Sequence, residues 1–355
     1  MAAHGVRPKK QRTSQMKTRK NPALAACVFA ATLALAACGG GGSSTPATST
    51  GTASAPAPAS APTPASGAQT ATSANVETPL YAPNSFQLAA FTMLNQQRQQ
   101  CGFGQLTENT TLDQAAQAHA TYMGENGGTI VDDEVATNPG FTGITYADRA
   151  EHFGYPLGVL ATGVSGGFFT NATLTQTQYG QQIMVGWLGG VYHMAIAVWP
   201  ITEVGVGVNQ TTFQGFPEIQ ASLEIGNAQN GTGNSPMTFP CQGTTGVAFS
   251  IGGEIPTPPN VSGNFGTPVA VAGVSMTDTI VLQRATMTDP SSNVITLNLL
   301  DSANDPNQVL PSFEAVAYPT SPLLPNTIYN VNITGTDNGT PFSRSFSFTT
   351  GNVVG

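Results

Sequence analysis

The stretch from residue 187 to residue 208 constrains this chain most, because one histidine, His193, separates its only two tryptophans. An apolar series with the four-residue spacing of a helix face precedes it: Tyr179, Ile183 and Trp187. After it come an apolar run to Trp199 and then valines alternating with glycines, which predicts two strands with a turn near Pro200. His193 is therefore expected where a helix gives way to a sheet, a position from which a polar side chain can face a cleft.

This stretch resembles the histidine motif of the CAP superfamily (cysteine-rich secretory, antigen 5 and pathogenesis-related 1 proteins, also called SCP domains). Bacterial members carry Trp-x5-His, as in Trp187 to His193, and animal and plant members carry His-x5-Trp, as in His193 to Trp199. Upstream, the pattern of the first two helices of bacterial CAP domains is matched by Asn95-x2-Arg98, Gly102, Leu106-x2-Asn109-x2-Leu112-x2-Ala115-Ala116-x2-His119-Ala120-x2-Met123. The resemblance covers about residues 85–226 and implies an α-β-α sandwich, which we place at residues 83–256.

The resemblance also implies a cleft in which CAP domains generally gather two histidines and two glutamates, a group that binds zinc in some members. His193 matches one family histidine, but Asp132-Asp133-Glu134 stands where the second is usual, and Thr162 stands nearest to a missing acid. The cleft residues predicted here are His193, Glu134, Asp133, Tyr192 and Thr162. His193 with Glu134 offers at most two good ligands, fewer than the three of usual catalytic zinc, so we expect no cofactor or only weak zinc.

Several of these residues have simpler interpretations that stay open. His119 lies on the apolar face of its helix, which favours a core histidine satisfied by hydrogen bonds. An acidic run such as that at 132–134 is usually a solvated turn, and for His193 the alternative is a histidine bonded to a backbone carbonyl near the sheet. Ser165 fits Gly-x-Ser-x-Gly superficially, but that nucleophile elbow needs a strand before it and a helix after it, and glycine and two phenylalanines follow here.

The amino-terminal segment resembles the signal peptide of a bacterial lipoprotein. Seven basic residues in the first twenty precede an apolar segment that is too short to span a membrane. The segment ends in Leu-Ala-Ala-Cys38, so we expect cleavage after residue 37, a lipid on Cys38 and residence in the bacterial envelope, at the outer membrane or cell surface. An ordinary secreted protein cut near Ala37 is the alternative. Residues 38–82 are rich in Gly, Ser, Ala and Pro, which predicts a disordered tether.

The charge balance of the mature chain excludes some partners. All nineteen acids lie after Cys38 and only four arginines remain, a net charge of −15 with no lysine. Such a surface repels nucleic acid and anionic membranes, so the lipid would hold the protein at a membrane. The other mature cysteines are Cys101 and Cys241, which we expect to form a disulfide in an exported chain; two free thiols are the alternative.

The last hundred residues alternate strand-like runs with turn residues at fairly regular spacing. Glu254-Ile-Pro-Thr-Pro-Pro-Asn260 predicts a short stiff linker before them, and Phe346-Ser-Phe348 near the end resembles bacterial Ig-like domains. The predicted fold class is therefore α+β: a CAP-like α-β-α sandwich followed by an all-β Ig-like sandwich at residues 257–355.

Three functions are compatible with this organisation. The first, which we favour, is a non-enzymatic binding module for an apolar small molecule, an envelope component or a protein. The second is a weak metal-assisted hydrolase using His193 and an acid from residues 132–134. The third is a structural or adhesive surface protein. The degenerate tetrad favours the first and third over the second.

Overall fold

A computed structural model describes residues 74–355. The predicted signal peptide, Cys38 and the tether up to residue 73 lie outside these described residues. The last part of the predicted tether, residues 74–82, is already ordered, because β1 (Asn75–Val76) pairs with β2 (Thr107–Asn109) and the Leu80 N–H donates to the Glu108 carboxylate at 2.6 Å. Order thus begins before residue 83. No helix within residues 74–355 combines the length and the apolar composition needed to cross a membrane.

The helices begin where the sequence supplies capping residues. Those of the described chain are α1 (Phe86–Gln100), α2 (Thr110–Glu125), α3 (Tyr146–His152), α4 (Gln176–Trp187) and the short α5 (Ala195–Val198). Ser85 caps α1 by accepting a hydrogen bond from the Leu88 N–H, as its position before an apolar face predicts, and Asn109 caps α2. Thr145 and Thr175 form capping boxes that start α3 and α4.

The prediction of a strand from His193 to Trp199 is wrong. This run forms a turn followed by α5, and strand structure starts only at Ile201. The buried Arg98 side chain holds the run in place, since its guanidinium donates to the carbonyls of Ile196 and Trp199 at 2.9 and 3.1 Å. A short apolar run has no periodicity that separates a buried helix from a buried strand, and here tertiary hydrogen bonds select the helix.

The first sheet has five strands in the order β1-β2-β4-β5-β3, where β3 is Ala161–Phe169, β4 is Ile201–Phe213 and β5 is Phe216–Ala228. β4, β5 and β3 are antiparallel neighbours, and β2 runs parallel to β4. β3 is therefore an edge strand, and it is the strand that reaches the cleft described below.

The two faces of this sheet differ, and the alternation of valine and glycine in β4 explains why. Val204 and Val206 point into the apolar core that also contains residues of α1 and α4. Gly205 and Gly207 point to the opposite face, where a Cβ atom would overlap the backbone of Leu112 and Ala116 in α2. Helices therefore cover both faces, and α2 can lie directly on the sheet only because glycines face it, which gives the α-β-α sandwich.

The carboxy-terminal part is all β. Its strands are β6 (Met237–Phe239), β7 (Thr245–Val247), β8 (Val269–Ala272), β9 (Ile280–Thr288), β10 (Val294–Ile295), β11 (Leu297–Asp301), β12 (Glu314–Pro319), β13 (Ile328–Asp337) and β14 (Thr340–Thr350). They form a five-stranded sheet, β10-β9-β13-β14-β7, and a four-stranded sheet, β11-β12-β8-β6. A second core, which includes Val271, Val331 and Phe348, fills the space between these strands. The Ig-like assignment of this part stays a prediction.

The two parts of the chain share strands and core. β6 and β7 precede the predicted boundary at residue 256, yet β6 pairs with β8 and β7 pairs with β14. The core of the first sheet also continues into the second part through Phe239, Ile251 and Val316. The segment predicted to be a linker is packed in part, since Glu254 within it is 7% exposed but Ile255 is 75% exposed.

The predicted disulfide between Cys101 and Cys241 is confirmed, with the two Cα atoms 5.4 Å apart. Cys101 is the C-cap of α1, and Cys241 lies between β6 and β7. The bond therefore ties the first helix to the segment that joins the two parts of the chain.

Candidate functional site

A cavity of about 420 Å³ opens beside the exposed edge of β3. Its walls come from the segment after α2, from the edge of β3, from α4 and the loop that follows it, and from residues 251–255. The lining residues include Ile130, Val131, Asp132, Asp133, Ser165, Gly166, Gly167, Ile183, Gly186, Trp187, Gly190, His193, Ile251, Gly252, Gly253, Glu254 and Ile255. Apolar side chains and glycines therefore form most of the wall, and the polar groups are few.

His193 lines this cavity and is oriented by Glu254. The Glu254 carboxylate accepts hydrogen bonds from the backbone N–H groups of Val191, Tyr192 and His193 at 2.8, 2.7 and 3.3 Å. Because a carboxylate bound in this way is an acceptor, the His193 Nδ1–H donates to Glu254 Oε1 at 2.9 Å. A Cβ atom on Gly190 would approach Glu254 Oε1 and His193 Nδ1 to within 2.6 and 2.9 Å, so glycine is required there for the two side chains to meet.

The surroundings of His193 favour its protonated form. Burial alone would lower the pKa of His193, but the Glu254 carboxylate, the charge of Asp132 and the Ser165 carbonyl outweigh burial and raise that pKa above its usual value. The side chain is still 18% exposed, so the imidazole edge can meet a ligand.

The cavity carries more negative than positive charge. Asp132, Asp133 and Glu254 line it, and His193 is the only basic residue among the lining residues of the described chain. Asp132 is further held by the Tyr146 hydroxyl, which donates to its Oδ1 at 2.7 Å. An anionic ligand would therefore meet repulsion here, whereas neutral or cationic ligands would not.

Glu134 does not join His193; it binds His119 instead. The Glu134 carboxylate accepts from His119 Nδ1 at 2.9 Å and from the Thr142 N–H at 2.7 Å. Burial would raise the pKa of Glu134, but the hydrogen bonds from His119 and Thr142 and the charge of Arg149 hold that pKa below its usual range. His119 is fully buried, which agrees with the interpretation of a hydrogen-bonded core histidine.

A buried polar cluster of His119, Glu134, Arg149 and Glu224 lies on the sheet face that α2 covers. Arg149 Nε is 4.0 Å from Glu134 and 3.7 Å from Glu224, and all of these side chains are inaccessible to solvent. Burial raises the pKa of Glu224 well above its usual range, although the Arg149 charge opposes this. Arg149, with its guanidinium carbon 4.4 Å from the centre of the Tyr146 ring, thus stabilises the interior rather than the cavity.

Ser165 is not an activated nucleophile. Its Oγ lies 2.6 Å from the Tyr146 hydroxyl and 3.2 Å from His119 Nε2. That nitrogen also lies 2.8 Å from the Val131 carbonyl oxygen, which can only accept, so Nε2 carries a hydrogen and cannot take the serine proton. Ser165 is also in the middle of β3 rather than in a turn between a strand and a helix, so the elbow interpretation is excluded.

The other predicted cleft residues lie outside the cavity wall. The Tyr192 hydroxyl donates to Asp305 at 2.9 Å and accepts from the Asn307 amide at 2.8 Å, so its ring reaches towards the carboxy-terminal part. Thr162 lies on β3 opposite Ile225. Among the lining residues of the described chain, Asp133 and His193 belong to the predicted cleft set, and Asp132 belongs to the acids considered for the hydrolase.

Sequence reasoning missed Glu254, the carboxylate that orients His193. The one signal that could have found it is its isolation, since it is the only acidic residue between Glu224 and Asp278. As for metal ligands, no three His, Cys, Asp or Glu side chains within residues 74–355 are grouped so that they could hold an ion. The site is thus a His–Glu pair in the wall of a largely apolar cavity.

Comparison with known families agrees with this architecture. The sequence profile of the cysteine-rich secretory protein family, CAP, matches residues 91–219, which run from α1 into β5 and include His193 but not Glu254. No curated protein matches the chain. The chain therefore contains a CAP domain.

Proposed function

We propose that this protein is an exported, lipid-anchored CAP-domain binding module whose cavity takes a small, largely apolar ligand without turning it over. The observation that carries the proposal is the cavity of about 420 Å³ with one oriented imidazole in its wall. Ligand sites typically measure roughly 300–1,000 Å³ and combine apolar walls with a few placed polar groups. This cavity has both properties.

The chemistry of the wall supports binding over hydrolysis. His193 uses Nδ1 to bind Glu254, which orients the ring, but no described hydroxyl lies within hydrogen-bond distance of that ring as a nucleophile. The Ser165 hydroxyl is bonded to Tyr146 and His119, and the Glu134 carboxylate accepts from His119 and Thr142. The alternative, a weak metal-assisted hydrolase, would have to use His193 with Asp132 or Asp133, the two acids of its predicted set that line the cavity.

Filling the cavity from α4 should weaken ligand binding while keeping the fold. A Cβ atom on Gly186 would meet only Gly355, at 3.8 and 3.9 Å, an ordinary contact distance. Because Gly186 is helical and lines the cavity, Gly186→Leu should retain or raise helix stability and weaken binding by at least about tenfold, roughly 1.4 kcal/mol. The measurement is titration with the neutral dye N-phenyl-1-naphthylamine, whose fluorescence rises in apolar surroundings.

The matched control is Gly186→Ala, which adds one methyl group and should bind the dye nearly as well as the wild type. Equal dye affinity in the leucine and wild-type proteins would refute the cavity as the site. Turnover in an ester and peptide hydrolysis screen, lost in His193→Ala and dependent on zinc, would instead support the hydrolase.

The membrane anchor is tested separately. Cys38 follows the longer apolar segment, so Cys38→Ser should move the protein from the membrane fraction to the soluble fraction. The control is Cys27→Ser, which changes the other Leu-Ala-Ala-Cys sequence and should leave the protein membrane-bound. If Cys27→Ser releases the protein and Cys38→Ser does not, the assignment of the lipid to Cys38 is wrong. If the wild-type protein is already in the soluble fraction, an ordinary secreted protein is favoured.

A further inference from the structure

The outer edge of β3, of which residues 165–167 line the cavity, carries a row of outward backbone groups, and the ends of the β3–β5 ladder show which ones. The Asn227 N–H donates to the Leu160 carbonyl at 3.0 Å, and the Thr170 N–H donates to the Pro217 carbonyl at 3.1 Å. Even-numbered residues of β3 thus exchange hydrogen bonds with β5. Because this pairing alternates along an antiparallel ladder, the N–H and C=O groups of odd-numbered residues point outward.

Within the described chain, these outward groups are only partly used. The Ser165 carbonyl accepts a hydrogen bond from the Trp187 indole N–H at 3.2 Å. The outward N–H and C=O groups of Gly167 and Phe169 have no hydrogen-bond partner among residues 74–355. Both residues are exposed. Unpaired edges of this kind are templates for a further strand.

This open edge forms part of the cavity wall. Ser165, Gly166 and Gly167 line the cavity, and a Cβ atom on Gly167 would overlap the Ile219 carbonyl oxygen and lie 2.5 Å from the Ile130 side chain, so the packing there requires glycine. The neighbouring Asp132 and Asp133, with Glu254, make the cavity acidic, and this charge disfavours acidic ligands.

We propose that the ligand is an extended peptide segment that adds to the outer edge of β3 as a further strand, with apolar side chains alternating with uncharged or basic ones and with no acidic residue. This proposal rests on the proposed function, because it assigns the chemical class of the ligand for the same cavity. Main-chain hydrogen bonds to Gly167 and Phe169 supply general affinity, as in other cases of strand addition, and the apolar wall selects alternate side chains.

The direct test is amide hydrogen exchange by NMR with the peptide acetyl-Lys-Val-Thr-Val-Thr-Lys-amide. At saturation, exchange of the Gly167 and Phe169 amides should slow by at least about tenfold, since both become hydrogen-bonded. The Gly166 and Phe168 amides provide the internal control. They are the same two residue types on the same strand, and their N–H groups already face β5, so their exchange should be unchanged.

Peptide variants test strand geometry and charge. Methylation of single backbone nitrogens should weaken binding about tenfold at alternate positions only, because only every second N–H faces β3. Replacing both lysines by glutamate should weaken binding by at least about tenfold at low salt and less at high salt. Equal effects of methylation at all positions, or protection of the even-numbered amides, would overturn strand addition.

The dye titration separates the two proposals. If N-phenyl-1-naphthylamine binds the wild type but not Gly186→Leu, and the peptide neither binds nor protects Gly167, the cavity is a small-molecule site and the peptide proposal fails. If neither probe binds, the proposed function fails as well. Binding of both probes, each lost in Gly186→Leu, is the result expected from the structure.

Discussion

Replacement of both Cys101 and Cys241 by alanine is expected to lower the free energy of unfolding by about 4–5 kcal/mol. The two cysteines are 140 residues apart, and a cross-link over so long a loop removes much entropy from the unfolded chain. The bond also joins the end of α1 to the segment between β6 and β7, so its loss should weaken the connection between the two parts. Urea unfolding, followed by the fluorescence of Trp187 and Trp199, gives the measurement.

The control for this prediction is the wild-type protein in reductant, in a chain carrying Cys38→Ser so that no other mature thiol is present. Reduction removes the cross-link but keeps the sulfur atoms, so reduced wild type and the double alanine variant should unfold at similar urea concentrations. If the oxidised protein unfolds at that same concentration, the disulfide contributes little. If only the alanine variant is destabilised, its loss of stability comes from the packing of the removed sulfur atoms and not from the cross-link.

Elements with clear periodicity were predictable from the sequence. Leu112, Ala116 and Met123 lie at the spacing of one helix face, as α2 requires, and the alternation of Val204 and Val206 with glycines predicted β4. The structure adds the reason for the glycines, since α2 rests on them. Ser85 capped the first helix as expected.

The site was less predictable because its partners are distant in sequence. Glu254 is 61 residues from His193 and lies outside the region that matches the family profile, so no local pattern connects the two. Glu134 was grouped with His193 because the acids at 132–134 stand where the family's second histidine is usual, but the fold turns its side chain towards His119. Spacing along a chain identifies residues on one helix face; it does not identify which of several acids reaches a given histidine.

The largest effect expected at the site itself is that of Glu254→Gln. The substitution removes the charge facing His193 and places an amide donor among the three backbone N–H groups that the carboxylate now binds. Breaking a buried pair by altering one partner typically costs about 3–5 kcal/mol. The free energy of unfolding should fall by an amount in that range at about pH 6, and dye binding should weaken because the loop at 191–193 loses its support.

The pH dependence of the stability lost in Glu254→Gln identifies the His193–Glu254 pair as its source. The folded-state pKa of His193 is raised above the usual 6.5, so the stability from its charged form is fully present below about pH 6.5 and is lost as the pH rises through the raised value. The difference between wild type and Glu254→Gln should therefore be larger at about pH 6 than at about pH 9. In the His193→Ala background, Glu254→Gln should lose that pH dependence but keep the part due to the backbone N–H groups. An NMR titration should also show a lower His193 pKa in Glu254→Gln, and an unchanged pKa would mean that Glu254 does not set the charge of the imidazole.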